Sequence, residues 1–323
     1  MFDSVTVTAS ARLHLGFLDM NGGLGRRFGS VGLAIDRPVT KLSIRRAATA
    51  STQGMEVARA SRYLAELTRQ LGLESAYELT IDKTIPAHAG LGSGTQLALS
   101  LAAALRRLEG LSRGDEGDPL VLRRGWRSGI GIGVFERGGV IVDGGRGQRT
   151  RVPPIIARVE FPPKWRVVTV LDPEIEGVHG SAEQTAFAEL GDSSPAQAAE
   201  ICRLVLIKAL PALAEKDIAA FGDAIARIQE FAGDYFAPAQ GGSRYSSAAV
   251  GRLMSELRRH GAHGTGQSSW GPTGFAFAAS AEEAQRLCDL TQNIAAAQGL
   301  EMLICKGINH GALVEGDFFA AVR

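Results

Sequence analysis

The residues best suited to chemistry stand together at Ile85-Pro86-Ala87-His88-Ala89-Gly90-Leu91-Gly92-Ser93-Gly94-Thr95-Gln96, followed by an almost pure Ala/Leu run to Leu105. Glycines let the backbone come close to a ligand and adopt positive φ. The first amides of a helix lack internal partners, and the dipole places partial positive charge there, so phosphate is a natural guest. Gly90, Gly92, Ser93, Gly94, Thr95 and Gln96 are therefore the candidate phosphate-binding residues. The plainer alternative is a tight turn with Ser93 or Thr95 as a helix cap. The spacing matches neither the Walker pattern nor GxGxxG, so neither familiar nucleotide fold is implied.

Other segments share this glycine-rich character. The chain holds 40 glycines in 323 residues, bunched at 22–32, 90–94, 129–147 and 261–274. That exceeds the roughly 7% average, and bunching points to several loops meeting one ligand. In Gly264-Thr265-Gly266-Gln267-Ser268-Ser269-Trp270-Gly271-Pro272-Thr273, hydroxyls and free amides suit anion oxygens. Gly266, Ser268 and Ser269 form a second phosphate-binding set, against the alternative of a polar turn. Trp270 is either core packing or a face on which a flat ligand stacks. Asp143, before Gly144-Gly145, either caps a turn or meets a ligand.

Composition narrows the class. A net charge of +1 gives no reason to expect nucleic acid or membrane binding, despite the pairs Arg26-Arg27 and Arg123-Arg124. Cys202, Cys288 and Cys305 are far apart, an odd count that argues against a disulfide framework, and no metal-ligand spacing is present. No signal peptide is evident and no apolar run approaches membrane-spanning length, so a cytoplasmic protein is expected.

The elements that must hold these loops alternate irregularly, which favours α+β. Val5–Ala9, Lys41–Arg45, Tyr77–Ile81, 139–142 and Trp165–Leu171 pattern as strands. Helical spacing covers Glu56–Leu71, Thr95–Leu108, Ala182–Leu190, Ala196–Leu213, Asp217–Ala232 and Ser246–His260. Residues 110–118 are expected as an exposed loop, and Pro153-Pro154 with Pro162-Pro163 mark a domain edge. A strand at 274–279, a helix at 281–298 and a strand at 302–308 make a βαβ-like close.

The loop at 85–96 resembles the second motif of the GHMP superfamily (galacto-, homoserine, mevalonate and phosphomevalonate kinases), and 264–273 is similar to its third. Three further segments narrow the likeness: Ala11-Arg12-Leu13-His14-Leu15-Gly16-Phe17-Leu18-Asp19-Met20-Asn21-Gly22, then Arg127 to Gly133, then Gly138 to Gly145. Together, from about Val5 to Gly307, they resemble the β-ribofuranosylaminobenzene 5′-phosphate synthase family, GHMP relatives in the biosynthesis of methanopterin-type C1 carriers. The resemblance implies two domains, an S5-like α/β unit over 1–155 and a ferredoxin-like unit over 156–323.

It also implies a Mg²⁺-dependent reaction of phosphoribosyl pyrophosphate with 4-aminobenzoate, releasing pyrophosphate and CO₂ and leaving a C–C glycosidic bond. Ser93 is then the candidate Mg²⁺ contact. Asp19, Arg12, His14 and Asn21, in the N-terminal family motif, are the candidate catalytic residues. Arg12 is suited to a phosphate or the benzoate carboxylate, and Asp19 to the cationic sugar or a ribose hydroxyl; His14 is either a ligand or a hydrogen-bonded structural histidine. Arg26, Trp270 and His179 are candidate substrate contacts, and His179 with Glu183 has i, i+4 spacing. Small molecules are the expected partners, and a homodimer is compatible with the family. The alternative is a GHMP-type kinase using ATP on a small alcohol. Such kinases carry an aspartate shortly after a Ser-Gly element, whereas here no carboxylate follows Ser128-Gly129 until Glu136. An attacking hydroxyl would lack its usual partner.

Overall fold

Strict alternation of buried residues from Ser4 to Ala11 continues into one long strand, β1 (Ser4–Asp19). It pairs antiparallel with β2 (Arg26–Ala47), with register shifts at Ser10/Ala11 and His14/Gly16. Arg26 therefore begins a strand and is not in a loose glycine-rich loop. The chain continues through β3 (Ser51–Gly54), α1 (Val57–Leu71) and β4 (Ala76–Lys83) to α2 (Ser93–Glu109). This computed structural model describes residues 2–112, 118, 122, 124–178 and 180–317. Most of the loop expected at 110–118, with Arg123 and His179, lies outside them.

Ser128-Gly129 opens a helix, α3 (Ile130–Arg137), where a glycine-rich loop was expected. Its glycines serve packing: a Cβ on Gly131 would lie 2.9 Å from Thr95 Cγ2 on α2. β5 (Val140–Asp143), β6 (Arg146–Gly147) and β7 (Ile155–Val159) follow. β5 pairs with the first half of β2 and β4 with the second, so β2 carries two partners along one edge. β7 straddles residue 155, and β12 (Leu313–Asp317) returns to pair with β1. The resulting eight-stranded sheet thus draws strands from both sides of residue 155. α2 is buried nearly all round, which accounts for its Ala/Leu composition.

The second half contains β8 (Arg166–Leu171), α4 (Gly180–Glu189) and α5 (Pro195–Leu204). A π turn at Val205–Ala209 leads into α6 (Leu210–Glu215), interrupting the single helix expected over 196–213. Pro211 has no amide to give the preceding turn, and the wider π turn absorbs that loss. Next come α7 (Ile218–Phe236) and α8 (Ala248–Arg259), started by Asp217 and Ser247 side chains that accept from Ala220 N and Val250 N. β9 (His263–Gln267), β10 (Gly274–Ala278), α9 (Ala281–Ala297) and β11 (Glu301–Cys305) complete an antiparallel sheet in the order β11-β8-β10-β9. This βαββαβ order, with β8 between β10 and β11, is the ferredoxin-like arrangement. The fold is α+β, as its sequence pattern implies. No helix among the described residues is long and apolar enough to cross a membrane.

Candidate active site: an arginine-lined cavity at a glycine turn

α2 begins behind Gly92, which has φ +85° and no side-chain cap, so neither Ser93 nor Thr95 caps the helix. The third glycine segment packs directly on this turn. A Cβ on Gly90 (φ +79°) would sit 2.1 Å from the Ser268 backbone oxygen, and one on Gly271 would sit 2.2 Å from Gly90 N. The Thr273 hydroxyl donates to Ala89 O at 2.6 Å and the Ser268 hydroxyl to Gly90 O at 2.7 Å. Arg12 gives its guanidinium to Gly90 O and its amide to Leu91 O. The carbonyls of 89–91 are thus all held by protein donors. Thr95 N and Gln96 N both donate to Gly92 O at 3.1 Å. The Ser93 and Gly94 amides remain as the helix's first donors without an intrahelical partner.

Positive charge gathers at this turn. A Cβ on Gly94 would be 3.1 Å from Arg124 Nη1. Burial, then Arg59 and Arg62, push the Arg124 guanidinium down to about 10. Arg12 is likewise pushed to about 10 by burial, with Glu183 opposing. Glu183 accepts from Arg127 at 2.5 Å, and the Arg127 guanidinium lies 4.5 Å from the Phe187 ring centroid. A cavity of about 790 Å³ opens beside Arg124, lined also by Arg127, Arg146, Arg149, Arg151 and Trp126, with Glu183 the one lining carboxylate among the described residues. Desolvated and crowded cations of this kind favour an anionic guest.

The structure sorts the candidate residues. His14 is 4% exposed, packs on Phe17, donates its amide to Ser268 Oγ at 2.9 Å and has no partner for Nε2 among the described residues. Burial, then Arg12 and Arg127, push its ring down to about 3, so it is neutral at physiological pH. Arg12 and His14 therefore do reach the glycine turn. Asp19 and Asn21 do not: β1 carries Asp19 roughly 20 Å beyond Arg12. Asp19 Oδ1 accepts from Asn21 N and Gly22 N, and Asn21 Nδ2 donates to Ser193 O at 2.8 Å, so both organise the turn after β1. Arg26 donates to Gly144 O and Gly145 O at 2.8 and 2.9 Å, bracing the base of the 146–151 turn.

Gln96 is fully buried and donates to Gly131 O, fixing α2 to α3. The Ser268 hydroxyl bridges His14 N and Gly90 O, and Gly266 packs on Gln229; these hold the turn from behind. Ser269 sits at φ +59° and its carbonyl accepts from Gln267. Trp270 is buried with its ring centroid 4.5 Å from Phe236 and 5.2 Å from Phe187, so packing is its role. Asp143 is fully buried and accepts from Ser30 Oγ, Gly129 N and Gly145 N. His179 lies outside the described residues. The groups that sequence reasoning missed are Arg124, Trp126, Arg127, Arg146, Arg149 and Arg151. A fourfold recurrence of Arg between 146 and 158 was the available signal.

Mg²⁺ commonly keeps waters and takes one or two carboxylate ligands together with substrate phosphate. Among the described residues no cluster of three or more His, Cys, Asp or Glu is suited to a metal. Ser93 Oγ, with no hydrogen-bond partner among the described residues, suits a metal whose other positions go to substrate phosphate and water.

Models of the GHMP kinase N-terminal domain and of the GHMP kinase C-terminal region match residues 56–122 and 209–289. A beta-ribofuranosylphenol 5′-phosphate synthase of Archaeoglobus fulgidus is 34% identical over 68% of this chain and 74% of its own length. That of Methanothermobacter thermautotrophicus is 30% identical over 84% and 88%. Homoserine kinase from Cytophaga hutchinsonii shares the fold with a TM-score of 0.68 at 16% identity, covering 98% of both chains. Mevalonate diphosphate decarboxylase from Staphylococcus aureus gives 0.66 at 16% identity, again over 98% of both.

Proposed function

The chain belongs to the beta-ribofuranosylphenol 5′-phosphate synthase family within the GHMP kinase superfamily, and we propose that it joins phosphoribosyl pyrophosphate to 4-aminobenzoate. The carrying observation is the arginine-lined cavity whose Arg124 reaches Gly94 of the glycine turn, and whose one lining carboxylate among the described residues is already paired with Arg127. That charge suits a substrate with two phosphoryl ends. Among the described residues it offers no unpaired carboxylate to position an attacking hydroxyl, the usual partner in phosphoryl transfer. We assign the route to methanopterin-type C1 carriers, in the cytoplasm.

The amides of Ser93 and Gly94 and the Arg124 guanidinium hold the diphosphate as the C1–O bond breaks, stabilising charge where it grows. Ser93 Oγ would hold a Mg²⁺ ion, which would supply further neutralisation of the leaving group. Glu183, steadied by Arg127, offsets positive charge at the sugar carbon. The ring carbon bearing the carboxylate forms the new C–C bond with electron release from the para substituent. The C–CO₂⁻ bond then breaks, its electron pair restores aromaticity and CO₂ departs. No proton is removed from that carbon, so a neutral His14 that resists protonation is no obstacle.

The relatives are named for a phenol product, which favours 4-hydroxybenzoate as a second acceptor. The purified protein is incubated with phosphoribosyl pyrophosphate, Mg²⁺ and each benzoate labelled in the carboxyl group. Labelled CO₂ that depends on every component supports the proposal. Transfer of phosphate from labelled ATP to an alcohol, with no CO₂ released, would sink it.

A further inference from the structure

The cavity extends from Arg124, at the glycine turn, to the residues 146–151. There the turn 147–150 is closed by Thr150 N donating to Gly147 O at 3.1 Å and Gly147 N donating to Thr150 Oγ1 at 3.0 Å. It is braced on several sides. Arg146 donates to Trp126 O and Thr150 O, both at 3.2 Å, with its guanidinium 3.6 Å from the Trp126 ring centroid. Arg26 ties down Gly144 and Gly145, and buried Asp143 accepts from Gly145 N and from Gly129 N on the facing wall, both at 2.9 Å. Arg149 and Arg151 stand on this rigid support. Both line the cavity, and neither has an ion pair or hydrogen bond with a described residue. Arg146 Nε is buried and also lacks a partner.

We infer that Arg149 and Arg151 clamp the sugar 5′-phosphate, while the Ser93–Gly94 turn and Arg124 take the diphosphate. The inference rests on the proposed function and deepens it by dividing the cavity between the two ends of one substrate. The competing guest is the benzoate carboxylate. That group becomes neutral CO₂ during the reaction, so pairing it with two arginines would stabilise the reactant over the transition state. A 5′-phosphate keeps its charge throughout. Gripping it binds reactant and transition state equally and serves to orient the sugar.

Two dead-end probes separate the ends: ribose 5-phosphate and inorganic pyrophosphate, each titrated by calorimetry into the full chain with Mg²⁺. The double variant Arg149→Ala/Arg151→Ala removes two exposed side chains with no bonded partners, so it should fold normally. We expect it to weaken ribose 5-phosphate binding about tenfold or more and to leave pyrophosphate binding within twofold. In turnover, KM for phosphoribosyl pyrophosphate should rise while kcat and the benzoate KM hold. Unchanged ribose 5-phosphate binding, or a rise confined to the benzoate KM, overturns the clamp. Wild-type protein that binds phosphoribosyl pyrophosphate and releases CO₂, yet shows either of those results, refutes the clamp and leaves the function standing. Wild-type protein that binds neither probe nor phosphoribosyl pyrophosphate refutes both.

Discussion

Ser268→Ala separates two roles for a serine that sequence alone makes look like a phosphate ligand. In the structure its hydroxyl is occupied at both ends, donating to Gly90 O at 2.7 Å and accepting from His14 N at 2.9 Å. Removing it leaves the buried His14 N–H unpaired, which costs about 1–3 kcal/mol; Gly90 O retains the Arg12 guanidinium. Unfolding entropy near 60 °C is about 2.1 cal/mol/K per residue, on the order of 0.7 kcal/mol/K for 323 residues. A loss of about 2 kcal/mol should therefore lower Tm by about 3 °C. Pyrophosphate binding should change by less than about threefold, through slackening of the turn alone. A serine that donated directly to the diphosphate would behave otherwise. Its loss would cost about 1.5–3 kcal/mol in binding, roughly 10–100-fold, with little change in Tm. Melting curves and pyrophosphate titrations on one preparation distinguish the cases. An unchanged Tm with tenfold weaker pyrophosphate would refute the positioning role.

Further outcomes follow from the same geometry. His14 is held near 3 in the folded chain against 6.5 ordinarily, so the unfolded chain takes up a proton first as pH falls. Its contribution to stability is therefore complete above pH 6.5 and is lost progressively below it, by about 2 kcal/mol at pH 5. Denaturant titrations at pH 7 and pH 5 should show that loss in the wild type and not in His14→Asn; equal losses would count against it. Ser93→Ala should slow Mg²⁺-dependent turnover by more than about tenfold, the worth of one charge-assisted contact to metal or diphosphate; a near-normal rate would remove Ser93 from the site. In Asp143→Asn an amide NH₂ would face donors that now meet carboxylate oxygens. A loss of about 3 kcal/mol in denaturant titration is expected, and wild-type stability would show that the carboxylate is replaceable.

Much of the fold was legible because burial writes a period into the chain. β1, α1, α2 and α9 each bury one face or all faces, and their apolar spacing shows it. α3 was hidden because its glycines answer to close neighbours: Gly131 to Thr95, Gly133 to Ile141 and Ile155. A residue chosen for lack of volume carries no helical signature. β12 was hidden for a different reason. Its place beside β1 depends on pairing between Ser4–Thr8 and Leu313–Asp317, a contact across nearly the whole chain. The half of the site made by the glycine turn was equally visible, since positive φ and close approach demand glycine.

The other half was invisible because charge has no period. Five cavity arginines look in sequence like the solvated arginines elsewhere, such as Arg203 paired with Glu200 or Arg259 with Glu256. What distinguishes Arg149 and Arg151 is that no described carboxylate pairs with them, which only folding reveals. Under the proposed function, the same logic favours Glu183 over Asp19 for offsetting sugar charge. Asp19 offers an oxygen to two turn amides at the far end of β1, whereas Glu183 meets Arg127 and lowers the cost of burying Arg12. Its ion pair with Arg127 also fixes where that carboxylate sits in the cavity.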